Sequence, residues 1–159
     1  MSEKIGFVGV GRMGANMARR LKDQNFNVTA IHDVYAEGAK ALADEIGATY
    51  YEKLSDVTKN ADIIITVVTD DKSMKDIFNS TGSLVVRAHG RLFINCATVS
   101  PSTHEKVEHW AEKHEAQTLE ACMASSITQI SFLSWPTISA IQFCTSSGSE
   151  STVAVGWYR

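Results

Sequence analysis

Hydrophobic residues along the first 121 positions follow two alternating spacings. Continuous apolar runs, several of them rich in β-branched side chains, predict buried strands at residues 4–9, 27–33, 62–68 and 91–95. Between these runs apolar residues recur at every third or fourth position, which predicts amphipathic helices over residues 13–21 and 35–46. Strands that alternate with helices predict an α/β fold with a doubly wound parallel sheet.

Shorter patterns predict the remaining elements of this sheet. Ser100 precedes Pro101, the arrangement of an N-cap before a first-turn proline, so a helix should begin there. The side chains predicted to face inward from this helix are Val107, Trp110, Ala111 and His114. The other predicted elements are a short strand at 48–51, helices at 71–78 and 84–88, and a last strand at 117–121.

The pattern changes after about Gln129. From Ile130 onward the only charged residues are Glu150 and Arg159, serine and threonine are frequent, and no period is visible. The chain is therefore divided into an α/β domain, residues 1–129, and an atypical Ser/Thr-rich tail, residues 130–159. We expect the tail to be disordered or out-of-frame sequence, and less readily an irregular sheet edge.

Composition narrows the class of protein without changing this picture. With 159 residues, 44% of them hydrophobic, and a net charge of −3, the chain resembles a globular domain and has no excess of cations for nucleic acid. It contains no apolar segment long enough to cross a bilayer and no secretory leader, so we expect a cytoplasmic protein without a membrane partner. Cys96, Cys122 and Cys144 form no Cys-x-x-Cys pair.

Three histidines could suggest a metal site. His104, His109 and His114 recur at every fifth residue, a spacing that spreads them around a helix. A solvated helix surface is the preferred interpretation, and no metal ligand is predicted.

The candidate chemistry lies in a glycine-rich turn. Gly9-Val10-Gly11-Arg12-Met13-Gly14 is a G-x-G-x-x-G motif between a predicted strand and a predicted helix. Gly9 permits the tight turn, Gly11 lets the backbone approach a pyrophosphate, and Gly14 allows the helix to pack closely on the strand. The N–H groups around Arg12 and Met13 present partial positive charge to the diphosphate. Residues 1–129 are therefore predicted to be a Rossmann-type dinucleotide-binding domain.

Asp33 at the end of the second strand bears on the choice of cofactor. A carboxylate at this position accepts hydrogen bonds from the adenosine ribose and repels a 2′-phosphate, so NAD is predicted in preference to NADP. Arg12 could instead favour a phosphate, or simply face solvent. Two alternatives stay open: the glycines serve turns only while Asp33 caps the next helix, or the turn binds FAD or S-adenosylmethionine.

The sequence around this motif resembles the β-hydroxyacid dehydrogenase family, which includes 3-hydroxyisobutyrate and 6-phosphogluconate dehydrogenases. Residues 6–18 are similar to its opening signature. Residues 62–70 are similar to the family's strand whose end lies over the cofactor, and this likeness implies that Val68 and Thr69 contact the cofactor. The segment 95–101 is similar to its Asp-x-Ser-Thr-x-x-Pro motif, and this likeness implies that Thr98 lies near the nicotinamide.

This resemblance implies an oxidoreductase that transfers hydride between a nicotinamide cofactor and a small-molecule 3-hydroxy acid. The substrate-binding Pro-Val-Ser-Gly-Gly segment of the family corresponds to residues 122–126, so Ala124, Ser125 and Ser126 are the candidate substrate contacts although both glycines are replaced. The family's catalytic lysine and its all-helical C-terminal domain, which also makes the oligomer, have no counterpart in these 159 residues. No catalytic residue is therefore assigned, and the alternative function is a non-enzymatic dinucleotide-binding module for sensing or partner interaction.

Overall fold

A computed structural model describes residues 3–121 in full and, as backbone strands, residues 127–132, 141–145 and 150–153. Strands and helices alternate through residue 120, as the hydrophobic pattern predicts. The strands are β1 (Lys4–Val8), β2 (Asn27–His32), β3 (Thr49–Tyr50), β4 (Ile63–Thr66), β5 (Leu92–Asn95) and β6 (Gln117–Glu120). The helices are α1 (Arg12–Asp23), α2 (Ala36–Ile46), α3 (Leu54–Asn60), α4 (Asp71–Asn79) and α5 (Pro101–Glu112).

The six strands form one parallel sheet in the order β3-β2-β1-β4-β5-β6. The chain winds outward from β1 through β2 to β3, and then returns across β1 to build β4, β5 and β6 on the other side. The predicted doubly wound parallel α/β sheet is thus confirmed. The direction of winding changes between β1 and β4, which is where sheets of this type bind ligands.

Helices cover both faces of the sheet because the strand residues alternate in direction. Ile5 and Phe7 of β1 pack in one apolar cluster with residues of α1 and α2, whereas Val8 packs in the other with residues of α3, α4 and α5. In the second cluster, the rings of Phe78 and Phe93 meet edge to face with their centroids 5.0 Å apart. The sheet is therefore a rigid support for the loops at its carboxyl edge.

Three further strands follow β6 in the sequence. They are β7 (Ile127–Phe132), β8 (Ile141–Thr145) and β9 (Glu150–Val153), and they form an antiparallel sheet in that order. β7 spans the boundary drawn at Gln129, and the other two lie in the Ser/Thr-rich segment. The division of the chain at that residue stays a prediction.

Two predicted local features are wrong. Residues 84–88 form successive turns, with Val86 N–H donating to the Ser83 carbonyl and Ala88 N–H to that of Val85, because a left-handed Arg87 (φ 66°) interrupts any helix. His114 of the predicted inward stripe is exposed beyond the end of α5.

Helix α3 was not predicted from the hydrophobic pattern. It has only seven residues, and Val57 and Thr58 are its buried ones. It packs closely on the sheet because Gly6 has no side chain: a Cβ there would lie 2.9 Å from Val57 Cγ1.

Candidate functional site

The predicted cofactor-binding residues follow four strands that are neighbours in the sheet. Asp33 comes directly after β2, Gly9 after β1, the segment 67–70 after β4 and the segment 96–100 after β5. Because all four strands are parallel, these loops emerge at the same edge of the sheet, on both sides of the point where the winding direction changes. The fold thus brings to one edge residues as far apart in the sequence as Gly9 and Thr98.

Backbone hydrogen bonds continue the strand pairing into these loops. Gly9 N–H donates to the His32 carbonyl over 3.0 Å, and Val67 N–H donates to the Val8 carbonyl over 2.8 Å. On the other side, Cys96 N–H donates to the Thr66 carbonyl over 2.9 Å. Each loop is therefore held against its neighbour at its first residue.

The three glycines of the motif have different surroundings. Gly9 has a φ of +87°, and a Cβ on it would collide with the Val67 carbonyl oxygen. A Cβ on Gly14 would collide with the Gly9 carbonyl oxygen, which lies under the first turn of α1. At Gly11, however, the position of a Cβ has no atom of the described residues within 4 Å. At Gly9 and Gly14, packing within the protein leaves no room for a side chain. At Gly11 a side chain would have room, and only an approaching ligand would require its absence.

The first turn of α1 lies above this open space. Gly11 is the N-cap, no side chain in the described residues caps this end, and the first turn contains no acidic residue. The first N–H groups of any α-helix lack intrahelical acceptors and carry partial positive charge. Arg12 and Met13 are exposed there, with Met13 43% accessible. The first turn therefore suits an anion and carries no carboxylate of its own.

Asp33 ties the glycine loop to the loop after β2. Its Oδ2 accepts a hydrogen bond from Val10 N–H over 2.6 Å, and its Oδ1 accepts one from Tyr35 N–H over 2.8 Å. Tyr35 is the N-cap of α2, so Asp33 does support the start of that helix. A carboxylate has about four lone-pair sites, so two remain for further donors such as ribose hydroxyls.

An exposed apolar pair follows Asp33, and sequence reasoning did not select it. Val34 is 99% and Tyr35 64% accessible, although most large apolar side chains in the described residues are buried. The available signal was their position between the predicted strand that ends at Asp33 and the predicted helix that begins at Tyr35. Val34 and Tyr35 thus present exposed apolar surface directly beside Asp33 in the chain.

The loops after β4 and β5 form the other half of the edge. Val68 is half-buried, whereas Thr69 and Thr98 are exposed. Thr69 Oγ1 donates to Asp70 Oδ2 over 3.1 Å, and Asp70 Oδ1 accepts from Ser73 N–H over 2.8 Å as the N-cap of α4. These hydrogen bonds, with that of the Ser73 hydroxyl, lower the pKa of Asp70.

Asp71, the next residue, reaches across to the loop after β5. Its Oδ1 accepts hydrogen bonds from Ser100 N–H over 2.9 Å and from Ser100 Oγ over 2.7 Å. Hydrogen bonds from the side chains of Thr103 and Ser100 and from the Ser100 backbone lower the pKa of Asp71 from 3.8 to about 2. This connection was missed because it joins residues 29 positions apart.

The lowered pKa of Asp71 predicts how its contribution to stability depends on pH. The carboxylate stabilises the folded state fully above its unfolded pKa of 3.8, and this contribution is lost as the pH falls toward about 2. We therefore expect Asp71→Asn to be less stable than the unmodified chain at pH 6, and the difference to disappear between pH 4 and pH 2. Denaturant unfolding at a series of pH values measures this, and a difference that persists unchanged at pH 2 would contradict it.

The structure does not describe the candidate substrate contacts. Ala124, Ser125 and Ser126 lie outside the described residues. Within the described part of the chain, no three His, Cys, Asp or Glu side chains are grouped so that they could hold a metal ion. None of the helices described there combines the length and apolar character that a membrane crossing requires.

Comparison with known families shows which class of domain this is. The family defined as the NAD binding domain of 6-phosphogluconate dehydrogenase matches residues 4–126, which include every loop described above. The chain belongs to this family. The resemblance to β-hydroxyacid dehydrogenases is thereby confirmed, and the fold is that of a nicotinamide-cofactor-binding domain of an oxidoreductase.

Individual relatives agree with this family. The chain is 27% identical over 120 residues to a protein of Dictyostelium discoideum named probable 3-hydroxyisobutyrate dehydrogenase, mitochondrial, covering 75% of this chain and 37% of that one. It resembles the structure of Mycobacterium tuberculosis 3-hydroxyisobutyrate dehydrogenase with L-serine, with a TM-score of 0.70 and 26% identity, over 79% of this chain and 42% of that one.

A more distant structure shows the fold alone. An imine reductase from Myxococcus stipitatus in complex with NADP+ has a TM-score of 0.69 and 19% identity, over 77% of this chain and 42% of that one. The chain thus spans roughly two fifths of the length of the relatives that it matches.

Proposed function

We propose that this chain binds NAD(H) for an oxidoreductase that transfers hydride between the cofactor and a small 3-hydroxy acid. The observation that carries the proposal is the open space at Gly11 beneath the uncapped first turn of α1. A turn that needed glycine only for packing would not leave this position empty. Neighbouring loops at one sheet edge offer a carboxylate, helix N–H groups and exposed hydroxyls in the order in which a dinucleotide presents ribose, diphosphate and nicotinamide.

Each part of the site has a separate task under this proposal. Asp33 accepts the hydroxyls of the adenosine ribose, and Val34 packs against the adenine. The backbone from Gly9 to Gly14, with the side chain of Arg12 beside it, receives the diphosphate. Val68, Thr69 and Thr98 contact the nicotinamide half. When bound, the nicotinamide ring supplies the hydride acceptor or donor, and the protein supplies its position and environment.

The carboxylate of Asp33 supports NAD as the preferred cofactor. A phosphate on the 2′-oxygen would bring two like charges into contact at this carboxylate, which already accepts Val10 and Tyr35 N–H groups and is thereby kept in place. Arg12 lies at the other side of the turn, at the first position of α1. Its guanidinium therefore suits the diphosphate common to both cofactors.

The substrate class rests on the family and on the relatives named 3-hydroxyisobutyrate dehydrogenase. We propose Ala124, Ser125 and Ser126 as the substrate contacts, since this segment follows β6, the next strand along the same sheet edge from Thr98. A cytoplasmic location stays a prediction from composition alone.

Calorimetric titration of the chain with NADH, FAD and S-adenosylmethionine tests the cofactor class. We expect saturable binding of NADH and none of the other two. Binding of FAD or S-adenosylmethionine in place of NADH would refute the proposal. The reaction class is tested by following NADH formation at 340 nm with 3-hydroxyisobutyrate and NAD.

A further inference from the structure

Two adjacent carboxylates at the start of α4 contact different parts of the site. Asp70 caps its own helix and holds the Thr69 hydroxyl, whereas Asp71 points to the loop between β5 and α5. That loop carries Thr98, the proposed nicotinamide contact. Asp71 itself is half-buried and is two positions away from Thr69, the nearest proposed contact on its own loop.

The loop after β5 is held at both of its ends. At its beginning, Cys96 N–H donates to the Thr66 carbonyl over 2.9 Å. At its end, Ser100 donates both its N–H and its hydroxyl to Asp71, over 2.9 and 2.7 Å. Only residues 97–99 lie between these two anchors, so the backbone of Thr98 has little freedom while both are in place.

The second anchor depends on the charge of Asp71. Hydrogen bonds to a carboxylate are about twice as strong as those between neutral groups. Its lowered pKa, caused by the donors of Thr103 and Ser100, shows that the charged form is the one that these groups stabilise. The carboxylate is thus ionised throughout the neutral pH range, in the form that accepts both hydrogen bonds from Ser100.

The helix that carries Asp71 does not depend on it for its own position. Asp70 already caps α4, and Met74 and Phe78 anchor the helix in the core with no accessible surface. Loss of the Asp71 side chain should therefore release the loop after β5 and leave α4 in place.

We propose that Asp71 is a positioning residue for the nicotinamide half of the site, acting through Ser100 on Thr98. This inference rests on the proposed function, since it assumes that Thr98 contacts the nicotinamide. It goes beyond that function by assigning the affinity for one half of the cofactor to a residue that touches no part of it. The adenosine half, held by Asp33 and the glycine loop, should be unaffected.

Calorimetry with two probes tests the proposal in the full 159-residue chain. NADH reports both halves of the site, and ADP reports only the adenosine half. We expect Asp71→Ala to lower the affinity for NADH about tenfold, the effect of losing a hydrogen bond to a charged group. The affinity for ADP should change by less than about twofold. Asp71→Asn should recover part of the loss because its amide oxygen can still accept the Ser100 N–H.

Asp76→Ala is the matched control. It removes a carboxylate from the same helix, and its hydrogen-bond partner is Lys72, 2.6 Å away, with both side chains exposed. Both probes should bind this variant as they bind the unmodified chain. Should Asp71→Ala fail to fold, Ser100→Ala replaces it. This variant removes one of the two donors that Ser100 supplies to Asp71 and should lower the ratio of NADH to ADP affinity about threefold.

The outcomes separate this inference from the function on which it rests. An unchanged NADH to ADP ratio in the folded Asp71→Ala or Ser100→Ala chain would overturn the positioning role while leaving cofactor binding intact. An equal loss of affinity for both probes would overturn the positioning role as well, because such a loss would indicate a general effect on the domain. An unmodified chain that binds neither probe would refute the proposed function itself, and the inference with it.

Discussion

Replacing Gly9 with alanine is expected to destabilise the domain by about 2–6 kcal/mol, the sum of a left-handed backbone that disfavours a side chain and an overpacked contact. The φ of +87° accounts for the first part, and the collision of a new Cβ with the Val67 carbonyl oxygen accounts for the second. The Val67 carbonyl oxygen cannot move away easily from the new Cβ, because the N–H of Val67 is hydrogen-bonded to the Val8 carbonyl. Small domains have a free energy of unfolding of only about 5–15 kcal/mol. Urea unfolding should therefore show that the variant has lost close to half of this free energy.

Gly11→Ala is the matched control for this variant and separates folding from binding. The new Cβ would point into open space on a backbone of negative φ, so the free energy of unfolding should stay within about 1 kcal/mol of the original. The affinity for NADH should nevertheless fall by at least about tenfold, because the methyl group occupies the space proposed for the diphosphate. A Gly11→Ala chain that binds NADH normally would contradict the proposed site, and equal stability of the two variants would contradict the packing argument.

The second large effect concerns Asp33 and the choice between cofactors. Asp33→Asn removes the negative charge but keeps one oxygen that can accept Val10 or Tyr35 N–H. We expect NADH to bind about 10- to 100-fold more weakly, since hydrogen bonds to charged groups contribute about 1.5–3 kcal/mol each. The affinity for NADPH should fall less or rise, because the repulsion of the 2′-phosphate is lost.

The ratio of the two affinities is the decisive quantity for Asp33→Asn. A partial loosening of the glycine loop would weaken both cofactors equally and leave this ratio unchanged. Parallel titrations with NADH and NADPH therefore distinguish recognition of the ribose from support of the loop. A ratio equal to that of the unmodified chain would show that Asp33 serves only to connect the two loops.

The parallel sheet could be predicted from the sequence because its strands are buried on both faces. Ile63, Ile64 and Ile65 of β4 have no polar alternation, so their residue types alone indicate a central strand. The glycine loop was predictable for a similar reason: its spacing and its position between a strand and a helix are local properties of the chain.

Features that depend on contacts between distant segments could not be predicted in the same way. Helix α3 is short, and tertiary packing over Gly6 stabilises it more than any pattern of its own. The pairing of Asp71 with Ser100 joins two loops whose proximity follows only from the order of β4 and β5 in the sheet. Residues 84–88 are too few to sustain a helix, and they include two β-branched valines and a left-handed Arg87.

The central claim is that this chain binds a nicotinamide dinucleotide and prefers NAD(H). It is tested most directly by titrating the purified chain with NADH and with NADPH and following the fluorescence of the reduced nicotinamide. We expect saturable binding of NADH alone, or of both cofactors with NADH at least about tenfold tighter, because of the charge of Asp33. Binding of neither, or tighter binding of NADPH, would contradict it.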